Sequence, residues 1–193
     1  MRRTILSLFA AAAALGAATT ASAMLKPGDQ APDFTARASL GGKEFNFSLA
    51  EALKKGPVVL YFYPAAFTSG CTTEAHDFAD AIGDYKALGA TVIGVSHDDI
   101  AKLDRFSTSE CHSKFAVAAD PDEHVIKAYD AVLGKHPEYA DRISYVIAPT
   151  GRITYAYQAM DPDKHVANTL GAVKAWQDSH QNQTSTAGGP GAR

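Results

Sequence analysis

The sequence predicts an α/β domain in which helices cover the faces of a sheet. Strand and helix signals alternate along the chain, which is typical of that layered architecture. The unbroken apolar run 58–63 indicates a strand buried on both faces, and apolar side chains then recur at helical spacing over 72–88. With a second strand over Thr91–Ser96, these elements predict a right-handed βαβ unit with parallel strands.

The elements around this unit are weaker in pattern. Residues 24–34 indicate an extended, proline-punctuated entry, residues 45–47 a short hairpin strand, and Ser48 the start of a helix. After the unit, a helix is predicted over 99–110, followed by a strand over 115–118.

The C-terminal part predicts a helical turn or two, a hairpin and a final helix. The turn covers 122–129, and the apolar runs 143–147 and 152–157 are separated by Ala-Pro-Thr-Gly, which is a hairpin signal. Apolar residues at helical spacing predict a last helix from residue 162 or 163 to about 177. The polar, glycine-containing segment 182–193 is predicted to be disordered.

The N-terminal segment 1–23 has the pattern of a signal peptide. Arg2 and Arg3 precede an alanine-rich apolar stretch, and the segment ends Ala-Ser-Ala. We therefore expect export by the ordinary secretory route to the periplasm or medium, with cleavage near Ala23; twin-arginine export and an uncleaved amphipathic anchor are the alternatives. Removing 23 of the 193 residues would leave 170, with one domain over 24–181.

The charge of the chain excludes some classes of partner. The net charge is −3 and becomes −5 once Arg2 and Arg3 are lost, and the charges are scattered rather than clustered. We therefore expect no nucleic-acid surface and no membrane surface. The sequence beyond the signal segment also contains no repeat, no glycine-rich phosphate loop and no membrane-spanning apolar run.

The chemistry is expected at Cys71, which lies where the buried strand passes into the helix. Helix N-termini lower the pKa of a cysteine from about 8.5 to about 3.5–7.5, which favours a nucleophilic thiolate over a merely buried cysteine. The only other cysteine is Cys111, and no Cys-x-x-Cys pair is present. Two readings stay open: a structural disulfide, or a peroxide cycle in which a sulfenic acid condenses with the second thiol.

Five residues can supply what a peroxide-reducing thiolate needs. Thr68 can direct its hydroxyl at the incoming oxygen, and Pro64 stiffens the turn and, with Phe67, shields the sulfur. Arg142, at the start of the 143–147 strand, can stabilise the thiolate, and Glu74 can hold that guanidinium in place. An ordinary solvated ion pair is the alternative for Arg142 and Glu74.

These residues resemble the peroxiredoxins. Pro64, Thr68 and Cys71 stand as Pro-x-x-x-Thr-x-x-Cys, and Arg142 opens Arg-Ile-Ser-Tyr-Val-Ile. The opening Lys-Pro-Gly-Asp-Gln-Ala-Pro-Asp-Phe and the segment Gly-Cys-Thr-Thr-Glu resemble the Prx Q branch, also called bacterioferritin comigratory proteins. The resemblance covers residue 25 to the final helix and implies a thioredoxin-like fold, a central mixed sheet flanked by helices.

The resemblance also implies roles for these residues. Cys71 becomes the peroxidatic cysteine, with Thr68 and Arg142 as its activating partners. Many members of the branch carry the resolving cysteine five residues later, where this chain has His76, so the implied resolving residue is Cys111. We expect an intramolecular Cys71–Cys111 disulfide that forms after local unfolding of polar, helix-weak residues around Cys111; a spectator role or pairing between chains are the alternatives.

The expected activity is a thiol peroxidase acting on hydrogen peroxide and organic hydroperoxides, without a metal or other cofactor. Its electrons would come from a thioredoxin-like or other dithiol reductant, and the resemblance favours a monomer over a dimer. The alternatives are a non-catalytic exported thioredoxin-fold protein with a structural disulfide, and a thiol-disulfide oxidoreductase.

Several histidines and aspartates are predicted to be structural. His76 is expected to be solvated or packed rather than a base. His97, Asp98 and Asp99 resemble a metal cluster, but adjacent residues at a strand end point in different directions, so a helix cap is the preferred interpretation.

Overall fold

A computed structural model describes residues 24–187 of the protein, with side chains described as far as residue 180. The predicted signal peptide and residues 188–193 lie outside the described residues. The strands are β1 (Thr35–Leu40), β2 (Lys43–Ser48), β3 (Val58–Phe62), β4 (Thr91–Ser96), β5 (Ala116–Ala119), β6 (Ile143–Ile147) and β7 (Ile153–Gln158). The helices are α1 (Leu49–Leu53), α2 (Ser69–Ala87), α3 (Ile100–Ser109), α4 (His124–Ala128) and α5 (His165–Ala187).

The strands form one mixed sheet in the order β2-β1-β5-β4-β3-β6-β7. The predicted parallel pairing of β3 with β4 is confirmed, as is the β6–β7 hairpin. On its other side β3 pairs antiparallel with β6, in a register that sets Phe62 opposite Ile143. This register brings the residue just before β6 to the end of β3, where the chain turns into α2.

The core has two parts, one on each side of the sheet. Side chains of β3 alternate between them: Val58, Leu60 and Phe62 belong to one cluster, and Val59 and Tyr61 to the other. All five are buried, as the continuous apolar run predicts for a central strand. The second cluster also includes both cysteines, so each thiol is part of the packed core.

Strand β1 is not among the predicted elements. Its residues Thr-Ala-Arg-Ala-Ser-Leu alternate between polar and apolar, but two of the three apolar side chains are alanines, which are depleted in strands; β1 pairs antiparallel with both β2 and β5. The strand therefore forms because two neighbours offer ladder partners, which is a tertiary effect rather than a local preference.

Two helix boundaries also differ from the predictions. Helix α2 begins at Ser69, three residues before the predicted start, and α5 continues to Ala187. Residues 182–187, the first part of the segment predicted to be disordered, are therefore included in α5. Within 24–187, none of the helices combines the length and apolar character that crossing a bilayer requires.

Candidate active site

Cys71 is the third residue of α2 and lies inside its first turn. The six-residue connection from β3 brings the chain from the centre of the sheet to this helix start, and the thiol is 2% exposed. Backbone N–H groups in the first turn of a helix have no carbonyl partner within the helix, so they favour a negative charge nearby. Cys71 is a free thiol in this position.

Arg142 reaches the sulfur from the neighbouring strand. Its Nη2 donates to Cys71 Sγ at 3.4 Å, and its Nε donates to the Met160 carbonyl at 3.0 Å. The remaining guanidinium nitrogen, Nη1, forms an ion pair with Glu74 Oε2. Burial alone would lower the pKa of Arg142, but Glu74 and Cys71 raise it above its usual value, so the guanidinium stays charged.

Gly70 makes room for this guanidinium. A Cβ built on Gly70 would lie 3.1 Å from Arg142 Nη2, closer than nearly all real contacts of a Cβ. Because the guanidinium is held on three sides, it has little freedom to move away. The glycine before Cys71 therefore allows the Arg142 guanidinium to come close to the Cys71 sulfur.

Glu74 lies one turn after Cys71 on the same helix and is fully buried. The solvated ion pair considered as an alternative is thus excluded, since the side chains of Arg142 and Glu74 are 3% and 0% exposed. Burial raises the pKa of Glu74 to about 8, although the ion pair with Arg142 opposes that rise. The other carboxylate oxygen, Oε1, has no hydrogen-bond partner.

Thr68 and Pro64 belong to the connection before α2. Thr68 is the residue that precedes the helix; its hydroxyl donates to the Ala65 carbonyl at 2.9 Å and it is exposed. The Pro64 carbonyl lies 3.1 Å from His97 Nδ1 and accepts its hydrogen. Phe67, expected to shield the sulfur, is 44% exposed and packs edge-on against Phe106.

Asp98 anchors the connection between β3 and α2. The sequence pattern did not predict this role. The prediction of a helix cap holds for Asp99, which accepts from the Lys102 amide at 2.8 Å. Asp98 is instead buried and accepts from the Ala66 amide at 2.7 Å and from Ser96 Oγ at 2.9 Å. The end of β4 therefore holds the loop that leads to Cys71.

Cys111 directly follows α3 and its C-cap, and it is fully buried. The residues that precede Cys111 are polar and were expected to form a weak helix. In the structure, the hydroxyls of Ser107, Thr108 and Ser109 donate to backbone carbonyls of α3. Burial, with a smaller contribution from the neighbouring Glu110, raises the pKa of the Cys111 thiol far above its usual value. The thiol is free and, in this arrangement, protonated.

His76 ties α2 to the Cys111 segment. Its Nε2 lies 2.9 Å from Glu110 Oε2, and its ring stacks on His112 with centroids 4.9 Å apart. His76 is thus a packed, half-buried side chain, as one of the predicted possibilities states.

His165 and Ser144 are buried polar residues beside Glu74 that sequence reasoning missed. His165 Nδ1 lies 3.6 Å from Glu74 Oε1 and 2.7 Å from Ser144 Oγ. The available signal was the position of His165 on the inner face of the last helix, eight residues before the fully buried Val173. Over residues 24–187, no group of three or more histidine, cysteine or acidic side chains is arranged to hold a metal ion.

Comparison with known proteins identifies related chains. The profile of the AhpC/TSA family matches residues 27–156. Peroxiredoxin Bcp of Escherichia coli is 31% identical over 161 residues, covering 81% of this chain and 97% of that protein. The chloroplastic peroxiredoxin Q of Triticum aestivum is 34% identical over 148 residues, covering 76% of this chain and 66% of that protein.

The fold is also similar to that of a solved structure. The crystal structure of peroxidoxin BcpB from Mycobacterium tuberculosis superimposes with a TM-score of 0.71 at 27% identity, covering 78% of this chain and 97% of that one. The expected thioredoxin-like fold, a mixed sheet flanked by helices, is therefore confirmed.

Proposed function

The chain belongs to the AhpC/TSA family of peroxiredoxins and is a thiol peroxidase, and we propose that Cys71 reduces hydrogen peroxide and organic hydroperoxides through a sulfenic acid. The observation that carries this proposal is the bond from Arg142 to the buried Cys71 sulfur at the start of α2. A guanidinium held by Glu74 and by a backbone carbonyl is preorganised to stabilise the thiolate and the charge that develops on the peroxide.

In the first step the Cys71 thiolate attacks one oxygen of the peroxide. The sulfur–oxygen bond forms as the oxygen–oxygen bond breaks, and the departing alkoxide or hydroxide takes up a proton, leaving an alcohol or water. Cysteine is oxidised to the sulfenic acid and the peroxide is reduced by two electrons. The anchored loop containing Thr68 keeps the backbone of the turn in place during this step.

In the second step we propose that Cys111 resolves the sulfenic acid. The Cys111 thiolate attacks the Cys71 sulfur, the disulfide forms and water leaves, and a thioredoxin-like or other dithiol then reduces the disulfide. Because burial keeps the Cys111 thiol protonated, this step needs local opening of the segment after α3. The His76–Glu110 contact is one of those that must open.

Cysteine variants test both steps. One equivalent of hydrogen peroxide should convert the reduced parent into a disulfide, which intact mass detects as the loss of two hydrogens. Cys111→Ser should accumulate a sulfenic acid, trapped by dimedone, and over-oxidise with excess peroxide. Cys71→Ser should consume no peroxide. A Cys71→Ser protein as active as the parent would overturn the role of Cys71, and normal turnover of Cys111→Ser with a dithiol would overturn that of Cys111.

We also propose that the protein is exported and acts as a monomer in the periplasm or medium. The support for export is the basic, apolar and small-residue pattern of residues 1–23. Expression of the full chain should yield a mature protein that begins at Met24, in the periplasmic or extracellular fraction. A cytoplasmic protein that retains residues 1–23 would contradict export, and a dimer in sedimentation experiments would contradict the monomer.

A further inference from the structure

An apolar groove of about 470 Å³ lies at the end of the sheet opposite to Cys71. It borders the starts of the parallel strands β4 and β5, at Thr91 and Ala116, whereas Cys71 follows the end of β3. Small-molecule sites commonly have volumes of about 300–1,000 Å³, so the groove is large enough to hold a small ligand. The peroxide chemistry proposed above makes no use of it.

The exposed large apolar side chains of the described residues lie at two places. Phe67 and Met160 belong to segments that surround Cys71, and the Met160 carbonyl accepts from the arginine of that site. The other two, Leu40 and Phe45, line the groove. Because clustered apolar surface outside the core marks binding sites, the groove is a second place where this chain is built to cover apolar surface with a partner or a ligand.

The groove is elongated. It follows β2 from Phe45 to Ser48 and continues past α1 to Lys55. Three steps along a strand span about 10 Å, and the segment after β2 adds to this length. The buried side chains of Ile82 and Phe115 complete the apolar lining. This shape suits a straight alkyl chain better than a compact ring.

The groove carries positive charge at one end. Lys55 and Lys86 both line it and are exposed. A Cβ built on Gly56 would overlap the carbonyl oxygen of Gly89, so the backbone next to Lys55 touches the backbone three residues after Lys86. Among the ion pairs of residues 24–180, none includes either lysine.

The other two charged side chains that line the groove already have partners. Glu51 pairs with its neighbour Lys54, and Lys114 lies 3.7 Å from the carboxylate of Asp80 on α2. The unpaired charge of the groove, within the described part of the chain, is therefore that of the two lysines at its end. The groove is thus complementary to a molecule with an anionic head and an apolar tail.

We propose that this groove binds one molecule of a free fatty acid, with the carboxylate at Lys55 and Lys86 and the alkyl chain along Phe45 and Phe47. Each methylene that leaves water for the apolar lining strengthens binding by up to about fourfold. Lysine ammonium groups are mobile point charges, so they suit a single carboxylate without the fixed geometry of an arginine fork. The site lies apart from Cys71, and the proposal does not depend on the role of that residue.

Calorimetric titration of the reduced protein with dodecanoate, below the concentration at which it forms micelles, tests the proposal. We expect one molecule to bind, about tenfold or more tightly than octanoate and more weakly as salt is added. Dodecyltrimethylammonium has the same alkyl chain with a cationic head and should bind at least about tenfold more weakly than dodecanoate. Equal binding of the two, or no binding of dodecanoate, would overturn the proposal.

Lysine variants test the anionic end of the site. Lys55→Met combined with Lys86→Met keeps the apolar stems and removes both charges, and it should weaken dodecanoate binding about tenfold or more. Lys135→Met combined with Lys174→Met is the matched control, since these exposed lysines lie outside the groove and the net charge changes equally. Equal weakening by the two double variants would overturn the assignment of the carboxylate to Lys55 and Lys86.

Phenylalanine variants test the apolar end. Phe45→Ser should weaken dodecanoate binding about tenfold, whereas Phe67→Ser changes a similarly exposed ring elsewhere and should bind like the parent. Strand β2 is at the edge of the sheet, so a second copy of the chain is the other candidate occupant. A dimer in sedimentation experiments that Phe45→Ser dissociates, and that dodecanoate does not, would overturn the proposal.

An NMR measurement keeps the proposal testable if a variant does not fold. Dodecanoate added to the unaltered ¹⁵N-labelled protein should shift the amide signals of residues 45–48 and 86–92 most strongly. Shifts centred on any other part of the chain would overturn the site.

Discussion

Replacing Arg142 by methionine tests the central contact of the site. Methionine fills much of the arginine stem but carries no charge, and Arg142 is only 3% exposed, so packing is largely preserved. At 3.4 Å, two unit charges interact by about 5 kcal/mol at an effective dielectric constant of about 20. Since Glu74 draws on the same guanidinium, we take the value of one charge-assisted hydrogen bond, about 2 kcal/mol, as the net loss.

This loss predicts a measurable change in thiol reactivity. At about 1.4 kcal/mol for each factor of ten, Arg142→Met should lower the alkylation rate constant of Cys71 about 30-fold near pH 6. The assay is iodoacetamide labelling followed by intact mass, in the Cys111→Ser background. At high pH, where every thiol ionises, the difference between variant and parent should disappear.

Arg105→Met is the matched control for this change. Arg105 is exposed on α3 and its guanidinium donates only to the Ala101 carbonyl among the contacts described, so its loss should leave alkylation unchanged. The reasoning is refuted if folded Arg142→Met alkylates within about twofold of the parent near pH 6. It is equally refuted if Arg105→Met slows alkylation as much as Arg142→Met.

Three further changes test other parts of the structure. Phe78→Ala removes a fully buried, stacked ring and should lower the free energy of unfolding, measured in urea, by about 3–5 kcal/mol. The control Phe45→Ala removes a ring that is 41% exposed and should lower it by less than about 1 kcal/mol. Equal losses in the two variants would contradict the predicted core. Asp98→Ala frees the loop before α2 and should slow peroxide reduction about tenfold or more. The control Asp99→Ala loses only a helix cap worth about 1 kcal/mol of stability. A normal rate of peroxide reduction in Asp98→Ala would contradict the anchoring role of Asp98. Because the pKa of Glu74 rises from 4.5 to about 8 on folding, the stability that its proton provides is present at low pH and is lost as pH rises through about 8. Glu74→Gln should therefore abolish a decline in the free energy of unfolding between about pH 5 and pH 8, and parallel pH profiles would refute it.

The central part of the fold is predictable because its signals are local. The apolar run of β3 and the helical spacing in α2 are sufficient to predict the βαβ unit, whose β4 strand has the predicted bounds. The β6–β7 hairpin follows from its turn residues in the same way. Strand β1 is different, because its alternation depends mainly on two alanines, and the ladders to β2 and β5 make it a strand.

The candidate site divides in a similar manner. The position of Cys71 at a helix start is a local property, so the sequence alone identifies it as the candidate nucleophile. The sequence also offers Arg142 as a partner of the thiolate, and the family resemblance implies the same role. The antiparallel register of β3 with β6 explains how a residue 71 positions away reaches the sulfur.

The sequence by itself determined the α/β class, the βαβ unit and the identity of the candidate nucleophile, because periodicity and helix ends are properties of neighbouring residues. Only the tertiary structure decided which polar groups are buried together: Glu74 with Arg142, His165 with Glu74, and Asp98 with the loop amide. Their charge states depend on burial and on partners far away in the chain, and neither is encoded in local spacing.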